Sequence, residues 1–292
     1  MDVHLVDGTY ELFRHYYAVP GAQDAAGHEV GAVRAVLRSL LALLKTGATH
    51  LGVATDHVVE SFRNQLWSGY KTSAGVPPDL LSQFHPLEDA IRGLGVVVWP
   101  MVEMEADDAL AAAAKKAAAD PRVRRIYICT PDKDLAQCVV GDRVVLLDRR
   151  KMQTRDAPGV EAKFGVPPAS IPDYLALVGD SADGFPGLPG WGPKSTAAVL
   201  SRYRHLEAIP ASPADWDVPL ANAAPLGATL RREWDLALLF RNLATLRTDI
   251  PVFDSVDDLL WAGPAPGFER LCADLGDPDL WQRARAEAAR RG

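Results

Sequence analysis

Apolar positions along the chain fall into short unbroken runs that end on or just before carboxylates, with helically spaced stretches between them. Residues 2–7 (DVHLVD) read as a buried strand closing on an acid, and 50–55 (HLGVAT) as a second followed at once by Asp56. GVVVWP (95–100), RIYICT (125–130) and RVVLLD (143–148) give three more, the run at 125–130 stopping just before Asp132. Runs this short and this apolar suit strands covered on both faces. Between them, Val30, Val33, Leu37, Leu40, Leu41 and Leu44 give 30–46 the spacing of an amphipathic helix, and 83–94 also looks helical. EADDALAAAAKKAAA (105–119) is an alanine-rich helix with acids in its first turn, where the helix dipole favours them. Residues 60–82 are polar and irregular and contain Pro77-Pro78. Strands alternating with helices imply an α/β fold, a mostly parallel sheet flanked by helices on both faces.

The pattern changes near residue 155. The remainder is helical and turn-rich with no further strand expected, so the chain divides into a core (1–155) and a helical region (156–292). Residues 210–230 read as a Pro/Ala-rich loop, and 278–292 as a final helix or a frayed end. A length of 292 residues suits one α/β domain with a smaller module. No run of eighteen apolar residues occurs, so no membrane span is expected. The N-terminus MDVHLVDGT lacks a basic region and a long apolar stretch, which argues against a secretory signal. Cys129, Cys138 and Cys272 lack metal-ligand spacing and are odd in number, the pattern of reduced thiols in a cytoplasmic protein.

The placement of acids carries the chemistry. Asp7, Asp56 and Asp132 each lie at or beyond the carboxyl end of an expected strand, the edge where sites form in open parallel sheets. Glu105, Asp107 and Asp108 open a helix, Asp132 and Asp134 flank Lys133 in TPDKD, and Asp180 and Asp183 stand three apart in GDSADG. Any one of these has an ordinary explanation as a cap or a turn. Together they repel and raise one another's pKa, a cost that Mg²⁺ or Mn²⁺ between them would offset. Two such ions activate a water and stabilise the leaving oxygen of an in-line phosphoryl displacement. The charge balance agrees. The net charge is −7, but setting those nine acids aside leaves 29 acidic residues against 31 basic ones. The acidity is therefore a local cluster and does not exclude a nucleic-acid partner.

A second motif follows in DYLALVGDSADGFPGLPGWGPKSTAAVL (173–200). A helix ends near Val178, two turns carry Gly187, Gly190 and Gly192, and Pro193 starts the next helix. Glycines allow close approach to a phosphate, and the amides of a helix N-terminus can donate to its oxygens. Lys194 adds a charge and Ser195 a hydroxyl, so the unit reads as a helix–hairpin–helix that grips a duplex backbone without reading its bases. The plain alternative is a packing hairpin between two helices.

The motifs LVDG (5–8), Asp56…SFR…GYK (56–71), EADD (105–108), TPDKDL (130–135) and GDSADGFPGLPGWGPKSTA (179–197) resemble the 5′-nuclease or flap-endonuclease family, in particular the 5′-exonuclease domain of bacterial DNA polymerase I and its stand-alone relatives. The resemblance reaches to about residue 250, and with no polymerase domain following, it implies a free-standing enzyme. It implies a PIN-like (resolvase-like) sheet, an arch at about 60–92, and a helix–three-turn–helix module at about 173–203. It also implies two divalent ions, Mg²⁺ or Mn²⁺. Asp7, Asp56, Glu105, Asp107 and Asp108 match the group serving one, and Asp132, Asp134, Asp180 and Asp183 the group serving the other. A K⁺ ion near 179–195 is implied as well. Lys71 matches the arch lysine that faces the scissile phosphate, Arg63 a position that contacts phosphate or supports the arch, and Arg14 a weaker candidate of the same sort. Tyr70 is a candidate for stacking on an unpaired base, or else a buried arch residue. Gly190, Gly192, Lys194 and Ser195 are the expected backbone contacts. One departure stands out: the family usually places an arginine three residues after the lysine, where this chain has Ala74.

The expected function is therefore a structure-specific 5′-nuclease, with 5′–3′ exonuclease and flap endonuclease action on flaps, 5′-overhangs, and gapped or nicked duplexes, and RNA–DNA hybrids as a further substrate. The expected setting is a monomer in a bacterial-type cytoplasm, associated with the nucleoid, in replication or repair. Two rivals are a small PIN-type ribonuclease, disfavoured by the length and the hairpin, and a catalytically weak DNA-binding scaffold, which the nine acids disfavour because a binder gains nothing from their repulsion.

Overall fold

The computed structural model describes residues 1–291. Along the chain run β1 (Asp2–Asp7), α1 (Gly8–Tyr16), α2 (Gly31–Lys45), β2 (His50–Asp56), α3 (Arg63–Leu66), α4 (Pro78–Leu81), α5 (Phe84–Gly93), β3 (Val97–Met101), α6 (Ala106–Ala119), β4 (Arg125–Cys129), β5 (Val144–Asp148) and β6 (Gln153–Arg155). Then follow α7 (Ala157–Phe164), α8 (Ile171–Val178), α9 (Pro193–Tyr203), α10 (Ala223–Arg232), α11 (Trp234–Ala244), α12 (Phe268–Asp274) and α13 (Pro278–Arg291). Two compact units emerge. One holds Met1–Val59, Ser73–Thr130 and the chain from Arg247 onward, the other Glu60–Thr72 and Pro131–Leu246.

The first unit is built on a parallel sheet in which β1 lies between β2 and β4, with β3 outside β2. Val3, Leu5, Val6, Leu51, Val53, Ile126 and Ile128 are buried, as expected for strands covered on both faces. The α2 face bearing Val33, Leu37, Leu40 and Leu44 is buried, and small residues on α6 (Ala109, Ala113, Ala117) bring that helix close against the strands. Gly52 is required on β2 because a Cβ there would run into the Trp99 indole. The register sets Asp7 beside Ala54 and Asp56 beside Met101, so both acids stand at the carboxyl ends of adjacent strands.

The C-terminal part of the chain is helical, and its last segment belongs to the first unit. From Arg247 onward it returns to the first unit: Trp261 donates its indole N–H to the Leu94 carbonyl at 2.7 Å and its backbone N–H to Thr49 at 2.8 Å. The tail is the regular helix α13, packed on α2 and α12. Periodicity alone carried no signal for this return, since it identifies helices and not what they pack on.

In the second unit β5 pairs antiparallel with β6, a three-residue polar strand too short to show alternation in the sequence. The hairpin joins the helices of this unit, so the division by contacts does not fall at 155. Residues 210–230 are also not loop throughout: α10 starts at Ala223 and buries Leu226 and Leu230, and Trp191 donates to the Leu226 carbonyl at 3.3 Å. The expected arch stretch, 60–92, contains α3, α4 and most of α5. Phe84, Leu87, Ala90 and Ile91 of α5 are buried in the first unit, where the helix packs on α2, β2 and β3, whereas Glu60–Thr72 belongs to the second unit.

Candidate active site

In the first unit the acids are held by backbone amides at helix starts. Asp7 caps α1, one oxygen accepting the Tyr10 N–H at 2.8 Å and the other the Thr130 hydroxyl at 3.0 Å. Gly8 follows because a Cβ there would lie 2.7 Å from Val53 Cγ1 and 2.8 Å from the Ala54 carbonyl oxygen. Asp56 donates its N–H to Thr9 Oγ1 at 2.8 Å, and its carboxylate accepts the Ala106 N–H at 2.8 Å. Glu105 and Asp108 form a capping box on α6. Asp108 is fully buried, and its two oxygens accept the N–H groups of Glu105 (3.0 Å) and Arg247 (2.8 Å). Asp107, on the same turn, is half-buried.

In the second unit a tighter group forms. Among the described residues, one trio brings carboxylate oxygens within 4.8 Å of one another: Asp134, Asp180 and Asp183. Asp134 opens a 3₁₀ turn (Asp134–Cys138), with its N–H donated to Asp132 at 2.9 Å. It is 5% exposed, and its Oδ1 is buried with no hydrogen-bond partner. Burial first, then the charges of Asp132, Asp183 and Asp180, hold the Asp134 carboxyl well above the usual range, against the opposing pull of Lys133. A buried oxygen that no protein donor reaches, inside a set of hard oxygen ligands, fits a divalent cation. Two ammonium groups approach this trio. Lys133 Nζ pairs with Asp180, and Lys71 Nζ stands 3.0 Å from Asp183 Oδ1. Burial lowers the Lys133 pKa, but the bond to Asp180 and the charges of Asp134, Asp180 and Asp132 outweigh it, leaving the pKa raised. Lys133 escaped the candidate set, although its place between two acids in TPDKD was the available signal.

Other candidates take different roles. Arg63 is 1% exposed, donates from Nε to the Leu243 carbonyl at 2.8 Å, and lies over the Phe62 ring. Its guanidinium supports the fold and is not open to phosphate. Tyr70 is 3% exposed, which removes its ring from stacking on a base and leaves the buried reading. Arg14 pairs at 2.6 Å with Glu11, a carboxylate buried to 1% exposure. At the hairpin, Gly190 takes φ +84, where glycine is favoured, and a Cβ at Gly192 would meet open space. Lys194 is exposed. The Ser195 hydroxyl closes the start of α9 by accepting the Gly192 N–H and bonding its carbonyl, both at 3.1 Å, so it is a cap and not an open phosphate ligand.

Residues 2–165 match the 5′-3′ exonuclease N-terminal resolvase-like domain, and residues 166–266 the C-terminal SAM fold of the same enzymes. The chain belongs to the 5′-3′ exonuclease family. It is 33% identical to a 5′-3′ exonuclease of Buchnera aphidicola subsp. Baizongia pistaciae over 85% of this chain and 82% of that one. It is 35% identical to DNA polymerase I of Pseudomonas aeruginosa over 87% of this chain, and there it spans 28% of the relative's length. The fold resembles the T5 5′-exonuclease solved with zinc (TM-score 0.67, 17% identity, 99% of both chains). It also resembles flap endonuclease-1 from Methanococcus jannaschii (TM-score 0.62, 14% identity, 100% of this chain and 93% of that one). Among the described residues no helix is long and apolar enough to cross a membrane.

Proposed function

We propose that this chain is a structure-specific 5′-nuclease that hydrolyses DNA phosphodiesters with two divalent ions. The observation that carries the reading is the Asp134–Asp180–Asp183 trio with its unpartnered buried oxygen, in a member of the 5′-3′ exonuclease family. Asp134, Asp180 and Asp183, with Asp132 beside them, hold one Mg²⁺ or Mn²⁺. Asp7, Asp56, Glu105, Asp107 and Asp108 would hold the other. Bound ions supply a nucleophile from water at neutral pH and offset charge on the leaving oxygen. The protein's own part is to fix those carboxylates on backbone amides, to place the Lys71 ammonium against phosphate charge, and to bind the duplex backbone at Gly190, Gly192 and Lys194. Substrates are flaps, 5′-overhangs, and gapped or nicked duplexes, with RNA–DNA hybrids a further class. A K⁺ ion at the hairpin, a monomeric state and a place in the bacterial cytoplasm near the nucleoid complete the proposal. For domains we keep a nuclease core at 1–155 with an arch at about 60–92, and a helical DNA-binding region at 156–292 with a helix–three-turn–helix module at about 173–203.

The double substitution Asp132→Ala with Asp134→Ala tests it. Loss of cleavage with DNA binding retained supports the assignment, and retained cleavage overturns it. If the wild-type chain shifts DNA without cutting it at any metal concentration, the scaffold reading takes its place, with Ala74 as its structural correlate.

A further inference from the structure

Within the second unit, the segment carrying Lys71 is stapled to the loop carrying Asp180 and Asp183. The Trp67 indole N–H donates to the Gly184 carbonyl at 3.0 Å. The Lys71 N–H donates to the Asp183 carbonyl, also at 3.0 Å. Gly184 adopts φ +83, and a Cβ there would run into the Gly69 carbonyl oxygen, so the two backbones meet as closely as glycine allows. Asn64 secures the other side: its Oδ1 accepts the Ser61 N–H at 2.8 Å, and its Nδ2 donates to the Lys71 carbonyl at 2.9 Å. The Trp67 ring is braced edge-on against Phe240, with centroids 5.2 Å apart. Neither Trp67 nor Asn64 is charged, and neither belongs to the acidic set. What they share is that each bonds the backbone next to the Lys71–Asp183 ion pair.

We propose that Trp67 and Asn64 are positioning residues that park Lys71 on Asp183 as a resident counter-cation, which a divalent ion displaces, turning the ammonium toward phosphate. The last step rests on the nuclease reading; the displacement does not. Asp183 shares its site with Asp134 and Asp180, and an ammonium at 3.0 Å relieves part of their repulsion. A divalent ion among the same oxygens relieves more, so the two cations compete for one carboxylate. The staple holds the Lys71 backbone while its long side chain moves, so the charge can be handed over without losing its place.

The test is Mn²⁺ binding by calorimetry to the full chain without DNA, at low ionic strength and pH 7.5. The transition belonging to this trio is the one abolished by Asp183→Asn. Lys71→Met removes the competitor and should tighten that transition about two- to fivefold, the range for a partly exposed ion pair. Trp67→Phe keeps the ring and deletes the donor, and Asn64→Ala deletes the second tie. Both should tighten Mn²⁺ by a smaller factor and lower kcat on a flap substrate, with KM for DNA unchanged. An unchanged Mn²⁺ affinity in folded Lys71→Met overturns the counter-cation. Lowered thermal stability alone in the Trp67 and Asn64 variants, with Mn²⁺ affinity and kcat as in wild type, overturns the positioning role. If the wild-type chain fails to cleave while the Mn²⁺ effects are present, the nuclease reading falls and the counter-cation stands.

Discussion

Replacing Asp134 by Asn should stabilise the metal-free protein while destroying its chemistry. The Asp134 carboxyl is 5% exposed, has one buried oxygen without a partner, and feels Asp132, Asp180 and Asp183. Asn keeps the shape and removes the charge. Relief of a buried, repelled carboxylate is worth about 1–2 kcal/mol, or roughly 2–6 °C in Tm for a chain of this size. The pH dependence has a definite sign. The folded carboxyl titrates well above its ordinary value of 3.8, so the folded chain keeps this proton to higher pH than the unfolded chain does. The penalty is absent below the unfolded pKa, grows as pH rises through the folded pKa, and is complete above it. The gain from Asp134→Asn should therefore vanish in acid and grow with rising pH until the folded carboxyl is ionised. Thermal melts in EDTA across that range provide the assay. A variant less stable than wild type at neutral pH, or a gain independent of pH, would show that the Asp134 charge is not a cost to the metal-free fold. Adding Mn²⁺ should reverse the ranking, because the metal stabilises the wild-type chain selectively.

Four further outcomes are expected. Gly8→Ala puts a methyl 2.7–2.8 Å from Val53 and Ala54 at the very edge that carries Asp7 and Asp56, so it should cost about 1–3 kcal/mol and cleavage besides, measured by urea denaturation and turnover. Arg63→Met strips the partner from the Leu243 carbonyl and should destabilise by about 2–4 kcal/mol, with duplex affinity per folded molecule unchanged, since its guanidinium is buried. Lys194→Ala should weaken duplex binding alike for all sequences and lower the salt slope by about 1 in a log–log titration, while Ser195→Ala should cost about 1 kcal/mol of stability as a lost cap and leave that slope alone.

Much of the fold is legible because short apolar runs and helical spacing report burial directly. Asp2–Asp7, His50–Asp56, Arg125–Cys129 and Gly31–Lys45 all lie within a residue or so of where the pattern puts them. What stayed hidden is of two kinds. Gln153–Arg155 is a strand by pairing and not by composition, and the C-terminal segment is tied to the first unit by two tryptophans, Trp99 reaching the Val252 carbonyl and Trp261 the Leu94 carbonyl, across sequence separations that no local pattern encodes. The acids could be named from their positions after strands and at helix starts. Their surroundings could not: that Asp108 accepts the amides of Glu105 and Arg247, that Asp134 keeps a bare oxygen, and that Arg63 and Tyr70 face inward are all matters of side-chain packing. Lys133 shows the opposite failure, since its charge between two acids was in plain view and its partner, Asp180, lies 47 residues away.

The most direct measurement is cleavage of a 5′-end-labelled flap by the purified chain with Mg²⁺, with Mn²⁺ and with EDTA, beside the same strand alone. A two-metal 5′-nuclease should cut near the junction only when metal is present, with product lengths that separate flap from exonuclease action and little cutting of the lone strand. Cutting that survives EDTA, or DNA binding with no product under any metal, would contradict it.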